Sequence, residues 1–395
     1  MLRTKPEIAV MGLAGIHNYG DNFILDCVAY LIDRGGRYRA EAIDLEAPLK
    51  GGRAFLYAGI LVLTKFLPKK RLRAELEYLA VRIRCGAYYR KALENKAALI
   101  FGGGSFKYGT QKLWAYYSLA VETAQRLRIP VMFNGMNIQK SDLGDWKCRF
   151  LADHANFPCV RMITSRDGES GERRLREEYG IRREICCKGV GDAAFWIPEC
   201  YRMKRSAGNK KVGINLIYGN IFRRYGNSLT EEELLTAYCG LLGKLDEDKV
   251  DWELFTNGLP ADYRFGKKVL KRYGNVQREI RVPKSAEELL RIIGSYETIL
   301  GARLHACICA YSLDIPFVGF LWDEKLRFFA GMAGLKENFI EERELSADCL
   351  YRKLRLAGSG MLPADKEKRE KWKLLSVRML EAFQDCIYDE NKETL

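Results

Sequence analysis

The chain has 395 residues, of which 48% are hydrophobic and 29% charged. That excludes a disordered polymer and leaves room for two domains with cores of their own. Lysine and arginine number 65 against 51 acids, a formal +14, so the partners to expect are anionic: a charged substrate, a membrane surface or nucleic acid.

Twelve cysteines without one CxxC spacing read as free thiols of a reducing cytoplasm, and no metal site is expected. The opening MLRTKPEIAVMG has no long apolar core, so no signal peptide is expected there. Ile8 to Leu13 (IAVMGL) reads as a strand and Asn22 to Arg34 as the helix after it. Between them, GIHNYGDNF (Gly15 to Phe23) places glycines at a turn and a helix start where amides can meet an anion or a hydroxyl-rich ligand. Asn18 and His17 are candidates to hold sugar hydroxyls, and Asp21 is a candidate base. Taken alone, Asp21 reads better as the cap of a helix beginning at Asn22.

Ala54 to Arg73 (AFLYAGILVLTKFLPKKRLR) is apolar and then basic, but Lys65 and Pro68 cut it short of a membrane span. It reads either as an amphipathic helix packed on the protein's own core or as a peripheral contact with an anionic membrane. In the second case Lys69, Lys70, Arg71 and Arg73 meet the headgroups.

Ala97 to Phe101 (AALIF) is a buried strand, and the Gly102, Gly103 and Gly104 of FGGGSF follow it. Three glycines allow close approach to a ligand or a plain tight turn, and the run is not GxGxxG. Trp114 to Leu127 is helical, Pro130 to Asn134 and Arg161 to Ser165 are strands, and Glu169 to Tyr179 is a helix stopped by Gly180. Arg166, in ITSRDGES, sits between that last strand and helix. Its guanidinium either grips a phosphate or carboxylate bidentately or pairs with Asp167 or Glu169 to fix the loop.

Residues 1–200 form the expected first domain and the polar, basic stretch 201–211 the linker. The pattern restarts over 212–360, with strands VGINLI and WELFTN, a helix from Glu231 to Leu245, and helical stretches from Ala261 and Ala286. A final helix, Asp365 to Cys386 within 361–395, is expected to pack back across the domains. Buried apolar runs separated by helices imply parallel strands with crossovers. Two Rossmann-like, doubly wound α/β domains facing a cleft follow, with ligands at the carboxyl ends of strands.

Ile299 to Phe320 (ILGARLHACICAYSLDIPFVGF) holds an arginine and a histidine where a strand hands over to a helix. Arg303 and His305 lie at or just before the helix start, where an anion is favoured, and Lys325 in FLWDEKLRFF can add a cation. His305 is the candidate acid/base, since imidazole exchanges protons near neutrality. Of the other two histidines, His17 is the second choice, and His154 in LADHANF reads as an ordinary surface or packing residue.

The ordered set NYGD, FGGGSF, SRDGES, GDAAFW and GARLHACICAYSLDIPFVGFLWDEKL resembles the polysaccharide pyruvyl transferase family, over about Ala9 to Leu335. The resemblance implies a GT-B-like fold, phosphoenolpyruvate as co-substrate with no further cofactor, and a ketal formed on two hydroxyls of one sugar of a cell-surface polysaccharide or its precursor. It implies that Arg303 and the Leu304 backbone hold the donor's anionic groups, that His305 is the acid/base, and that Arg166 is a second donor-binding cation. Lys325 would assist them, and Gly103 and Gly104 would lie on the acceptor side with Asn18 and His17. One departure is visible: MFNGMNIQ, Met132 to Gln139, stands where a glycine-rich segment is expected.

The alternative within the same fold is a glycosyltransferase using a nucleotide sugar, because function lives in the site rather than the fold. Nucleic acid is not an expected partner: no zinc spacing, ribonucleoprotein motif or recognition helix is present, and the basic residues are dispersed among acids. A lipid-linked acceptor would suit the basic charge and the 54–73 segment, placing the enzyme in the cytoplasm at the inner face of the membrane.

Overall fold

A computed structural model describes residues 5–14, 18–49, 52–109, 112–205, 210–362 and 365–393. The chain divides into two compact units, each built on one six-stranded parallel sheet. The first unit takes Met1–Gly15, Ile24–Ala193 and Trp372–Leu395, and the second takes Ile16–Phe23 and Ala194–Lys371.

In the first unit β1 (Glu7–Gly12), β2 (Arg39–Asp44), β3 (Ala98–Phe106), β4 (Val131–Ile138), β5 (Val160–Ser165) and β6 (Cys186–Gly189) lie in the order β2-β1-β3-β4-β5-β6. Winding reverses between β1 and β3, the place where such sheets leave a crevice at their strand ends. The helices of this unit include α1 (Tyr19–Gly35), whose first residues belong to the second unit, then α2 (Gly52–Phe66), α3 (Lys70–Leu93), α4 (Leu113–Leu127), α5 (Trp146–Ala155) and the short Glu169–Arg173, which continues as a π-helical turn over Arg174–Glu178. β4 is buried at every position, as an apolar run covered on both faces should be. Phe101 of β3 stacks on Phe133 of β4 at 4.5 Å, and Tyr117 of α4 meets Phe101 edge-on at 5.0 Å.

The strand expected to stop at Phe101 continues through the glycines to Phe106. Gly103 and Gly104 take left-handed φ values of 84° and 115°. A Cβ on Gly103 would come within 2.5 Å of Ile24, and one on Gly104 within 2.5 Å of the Tyr117 hydroxyl. Those helices pack so closely on β3 that only glycine fits. The MFNGMNIQ segment is a bulged strand: register slips between Phe133 and Met136, and the Gly135 amide donates to Thr164 Oγ1 at 2.8 Å.

In the second unit β7 (Val212–Asn215), β8 (Trp252–Phe255), β9 (Ile280–Arg281), β10 (Thr298–Gly301), β11 (Phe317–Phe320) and β12 (Phe339–Ile340) lie in the order β12-β11-β10-β7-β8-β9. Here winding reverses between β7 and β10. The helix Glu231–Glu247 starts at a complete capping box of Thr230 and Glu233. Further helices span Pro260–Tyr273, Ala286–Gly294 and Leu304–Ser312. The last helix, Lys366–Glu393, joins the first unit from Trp372 onward, where the Ser376 hydroxyl donates to the Gly191 carbonyl at 2.9 Å. Among the described residues no helix is long and apolar enough to cross a membrane.

Candidate functional site

The reversal of winding in the second unit sets the carboxyl ends of β7 and β10 side by side. β7 ends at Asn215, and its Oδ1 accepts the Arg303 amide at 3.0 Å. Asn215 Nδ2 in turn donates to Asn257 Oδ1 at 3.0 Å, and the Asn257 carbonyl accepts the Tyr19 amide at 3.1 Å. A chain of hydrogen bonds thus links both strand ends to the first turn of α1. Asn215 and Asn257 are both buried, so each amide group is costly to leave unmatched.

Arg303 stands just before the helix Leu304–Ser312, and its Nε and Nη2 grip Asp262 at 2.9 and 2.6 Å. Asp262, in the first turn of the helix Pro260–Tyr273, also accepts the Tyr218 amide at 3.0 Å. Its side chain has no exposure. Burial pushes the Asp262 carboxyl up, while the Arg303 charge, the Arg303 hydrogen bonds and the Tyr218 amide pull it back. The pair fixes the guanidinium plane and offsets much of its charge. Arg303 therefore meets a ligand as an oriented set of N–H donors more than as a bare cation.

His305 follows two residues later, and the residue is only 6% exposed. Its Nδ1 lies 3.7 Å from Asp21 Oδ1, beyond hydrogen-bond reach but close enough for an imidazolium and a carboxylate to stabilise one another. α1 begins at Tyr19, three residues before the expected start, so Asp21 is inside the first turn and does not cap a helix at Asn22. Asn18 Nδ2 holds the other oxygen, Asp21 Oδ2, at 2.9 Å. Gly20 makes the approach possible, since a Cβ there would sit 2.6 Å from the His305 Cβ and 2.7 Å from Nδ1.

Leu304 is the first residue of its helix, where amides lack intrahelical acceptors. Lys325 is half-buried in the first turn of the helix Glu324–Met332, which Asp323 caps. The loop before it is tied to this region by Trp322 Nε1, which donates to the Ala302 carbonyl at 2.7 Å.

Arg166 belongs to the first unit, where its Nη1 donates to Asp192 Oδ2 at 2.6 Å with both side chains buried. Asp192 is a partner that neither sequence reading of Arg166 named. Asp167 is occupied by Asn137 Nδ2 and the Ile138 amide, at 2.9 and 2.6 Å. Gly103 and Gly104 are also in the first unit, and His17 lies outside the described residues. His154 is a packing residue, stacked between Phe150 and Phe157 at 4.2 and 4.6 Å, with Nδ1 2.8 Å from the Phe150 carbonyl.

Sequence reasoning missed Asp262, Asp192, Asn215 and Asn257. A polar residue closing an apolar strand, as Asn215 closes VGIN, is the signal that could have found one of them.

Comparison with solved structures defines the fold class. UDP-GlcNAc 2-epimerase of Neisseria meningitidis, solved with UDP-GlcNAc, aligns over 96% of this chain and 99% of its own, with TM-score 0.60 and 10% identity. The Methanocaldococcus jannaschii UDP-GlcNAc 2-epimerase aligns over 96% and 99%, with TM-score 0.59 and 12% identity. Phytolacca americana UGT2, in complex with UDP-2fluoro-glucose and pterostilbene, aligns over 97% and 100%, with TM-score 0.52 and 12% identity. The fold is GT-B-like, α/β with two Rossmann-like units. No curated protein sequence matches the chain. The family model for polysaccharide pyruvyl transferase matches residues 18–324, from Asn18 of the α1 turn to the residue before Lys325. The chain belongs to the polysaccharide pyruvyl transferase family and is a transferase.

Proposed function

We propose that this transferase moves the pyruvyl group of phosphoenolpyruvate onto a sugar of a cell-surface polysaccharide or its precursor as a ketal, in the cytoplasm. The observation that carries the reading is the meeting of Asp21 and His305, 3.7 Å apart, where the winding of the second sheet reverses. An enol ether phosphate needs an acid at its methylene carbon and a base at the attacking hydroxyl, and these two side chains are of the right kinds. The donor's phosphate and carboxylate need oriented donors, which Arg303, the Leu304 amide and Lys325 supply.

In this mechanism His305 delivers a proton to the methylene carbon, leaving the adjacent carbon cationic. A sugar hydroxyl adds there through oxygen and gives up its proton to Asp21, whose far oxygen is steadied by Asn18. A second hydroxyl of the same sugar then attacks that carbon and returns a proton to His305, which gave one up in the first step. The carbon–oxygen bond to phosphate breaks, and phosphate leaves with the electron pair. The products are a cyclic ketal and inorganic phosphate.

The test is incubation with phosphoenolpyruvate and a panel of sugar acceptors, following acceptor mass and phosphate together. Equal yields of ketal and phosphate are expected, with His305→Ala slower by a factor of about a hundred to ten thousand and unchanged in melting temperature. Near wild-type turnover in that variant ends the mechanism. Thermal stabilisation by uridine or guanosine diphosphate but not by phosphoenolpyruvate would replace the donor with a nucleotide sugar.

A further inference from the structure

α2 is apolar on both sides, unlike an ordinary helix at a water surface. Its inward stripe of Tyr57, Ile60 and Thr64 is buried, and Tyr57 and Ile60 cluster with Ala80 of α3. Its outward side is the one that should be polar. Instead Phe55 is 82% exposed and Phe66 79%, with Leu56, Val62 and Leu63 exposed beside them. At 3.6 residues per turn, positions 55, 59, 62 and 66 fall in one line, so a phenylalanine stands at each end of a continuous apolar strip. Scattered exposed leucines are ordinary; a strip of this kind marks an interaction surface.

The charge around the strip has one sign. No acidic residue occurs between Glu46 and Glu75. Over the same span Lys65, Lys69, Lys70, Arg71 and Arg73 are all exposed, and Arg71 reaches the carboxylate of Glu75 at 2.9 Å.

We infer that α2 and the start of α3 form a docking surface for an anionic lipid bilayer. The aromatic side chains enter the boundary between headgroups and acyl chains, and the cations meet the headgroups. α2 has 15 residues, about 22 Å at the helical rise, which is short of the roughly 30 Å of a hydrocarbon core. It therefore lies along the surface. A second copy of the chain is a poorer occupant, because a self-complementary contact through this face brings two basic clusters into one interface. The inference does not depend on the identity of the donor.

The test is flotation of the full chain with vesicles of phosphatidylcholine alone or of phosphatidylcholine mixed with phosphatidylglycerol. The wild type is expected to float with the mixed vesicles and much less with the neutral ones, and to be released by salt. The triple variant Phe55→Ser, Val62→Ser, Phe66→Ser keeps the net charge and should lose binding by at least about tenfold. Lys69→Glu, Lys70→Glu, Arg71→Glu should lose the preference for anionic lipid. All these side chains are exposed, so matching melting temperatures are expected in both variants. Failure of the wild type to float with anionic vesicles, or undiminished flotation of both variants, overturns the inference. So does a lipid-free sedimentation coefficient that falls in the serine variant, which would assign the strip to a second copy.

Discussion

Gly20 shows how far the candidate site depends on one missing methyl group. Its backbone lies against the His305 ring with no space for a Cβ, and the atoms it would strike are the His305 Cβ, Nδ1 and Cγ. Alanine is welcome in a helix, so Gly20→Ala should fold, at a cost of about 1–3 kcal/mol for overpacking. The imidazole must leave its present place. Turnover should drop by at least about tenfold, as expected when a proton donor leaves its place, while the circular dichroism spectrum stays that of the wild type. Assay of pyruvyl transfer beside a thermal melt checks it, and full activity in the alanine variant would mean that the ring position is immaterial.

Helices and strands were legible where the physics is local, and illegible where it is not. The runs that became β3, β4 and β10 are apolar because both faces are covered, and they read as strands at once. β2 did not: RAEAID is an edge strand with one buried position, so its composition looks like a loop. α1 starts three residues before the sequence suggests, since no side-chain pattern announces that the Tyr19 amide is taken up by Asn257. His305 and Asp21 were both legible as proton carriers, but their meeting depends on residues 284 positions apart being brought together by the fold.

Ion-pair partners were the least visible, for Asp262 lies 41 positions from Arg303 and Asp192 lies 26 from Arg166. Only the layout of each sheet brings them together. The Asp262–Arg303 link also joins two helix starts, and losing it should be felt by the whole element. Asp262→Ala leaves a guanidinium with little exposure unmatched, and should cost about 3–5 kcal/mol in urea unfolding.

At the scale of the whole molecule, the +14 charge is unevenly spent, with an acid-free stretch of 28 residues between Glu46 and Glu75. Stability against pH is a second property of the whole. Burial holds the His154 imidazole below its ordinary value. An unfolded chain takes up that proton near pH 6.5, before the folded one does. The histidine's contribution is therefore complete above that point and is lost as the pH falls through and below it. His154→Phe, placed between Phe150 and Phe157, removes the titration. Its melting temperature should fall less than that of the wild type between pH 7.5 and 5.5, by differential scanning fluorimetry, on a scale set by about 1.4 kcal/mol per pH unit. Equal falls would show that His154 titrates alike in both states.

The bond from the Tyr19 amide to the Asn257 carbonyl has a consequence of a different order. It is made by main chain alone, so a change of side chain at Tyr19 need not sever it, whereas Asn257 is also fixed through its own amide by Asn215. Proline at 19 would remove the donor, and a lengthened β8 loop would withdraw the acceptor. The carboxylate two residues along thus depends on loop length as well as on the side chains of Asn18, Asn215 and Asn257, and relatives of this enzyme can vary at position 19 while preserving its address.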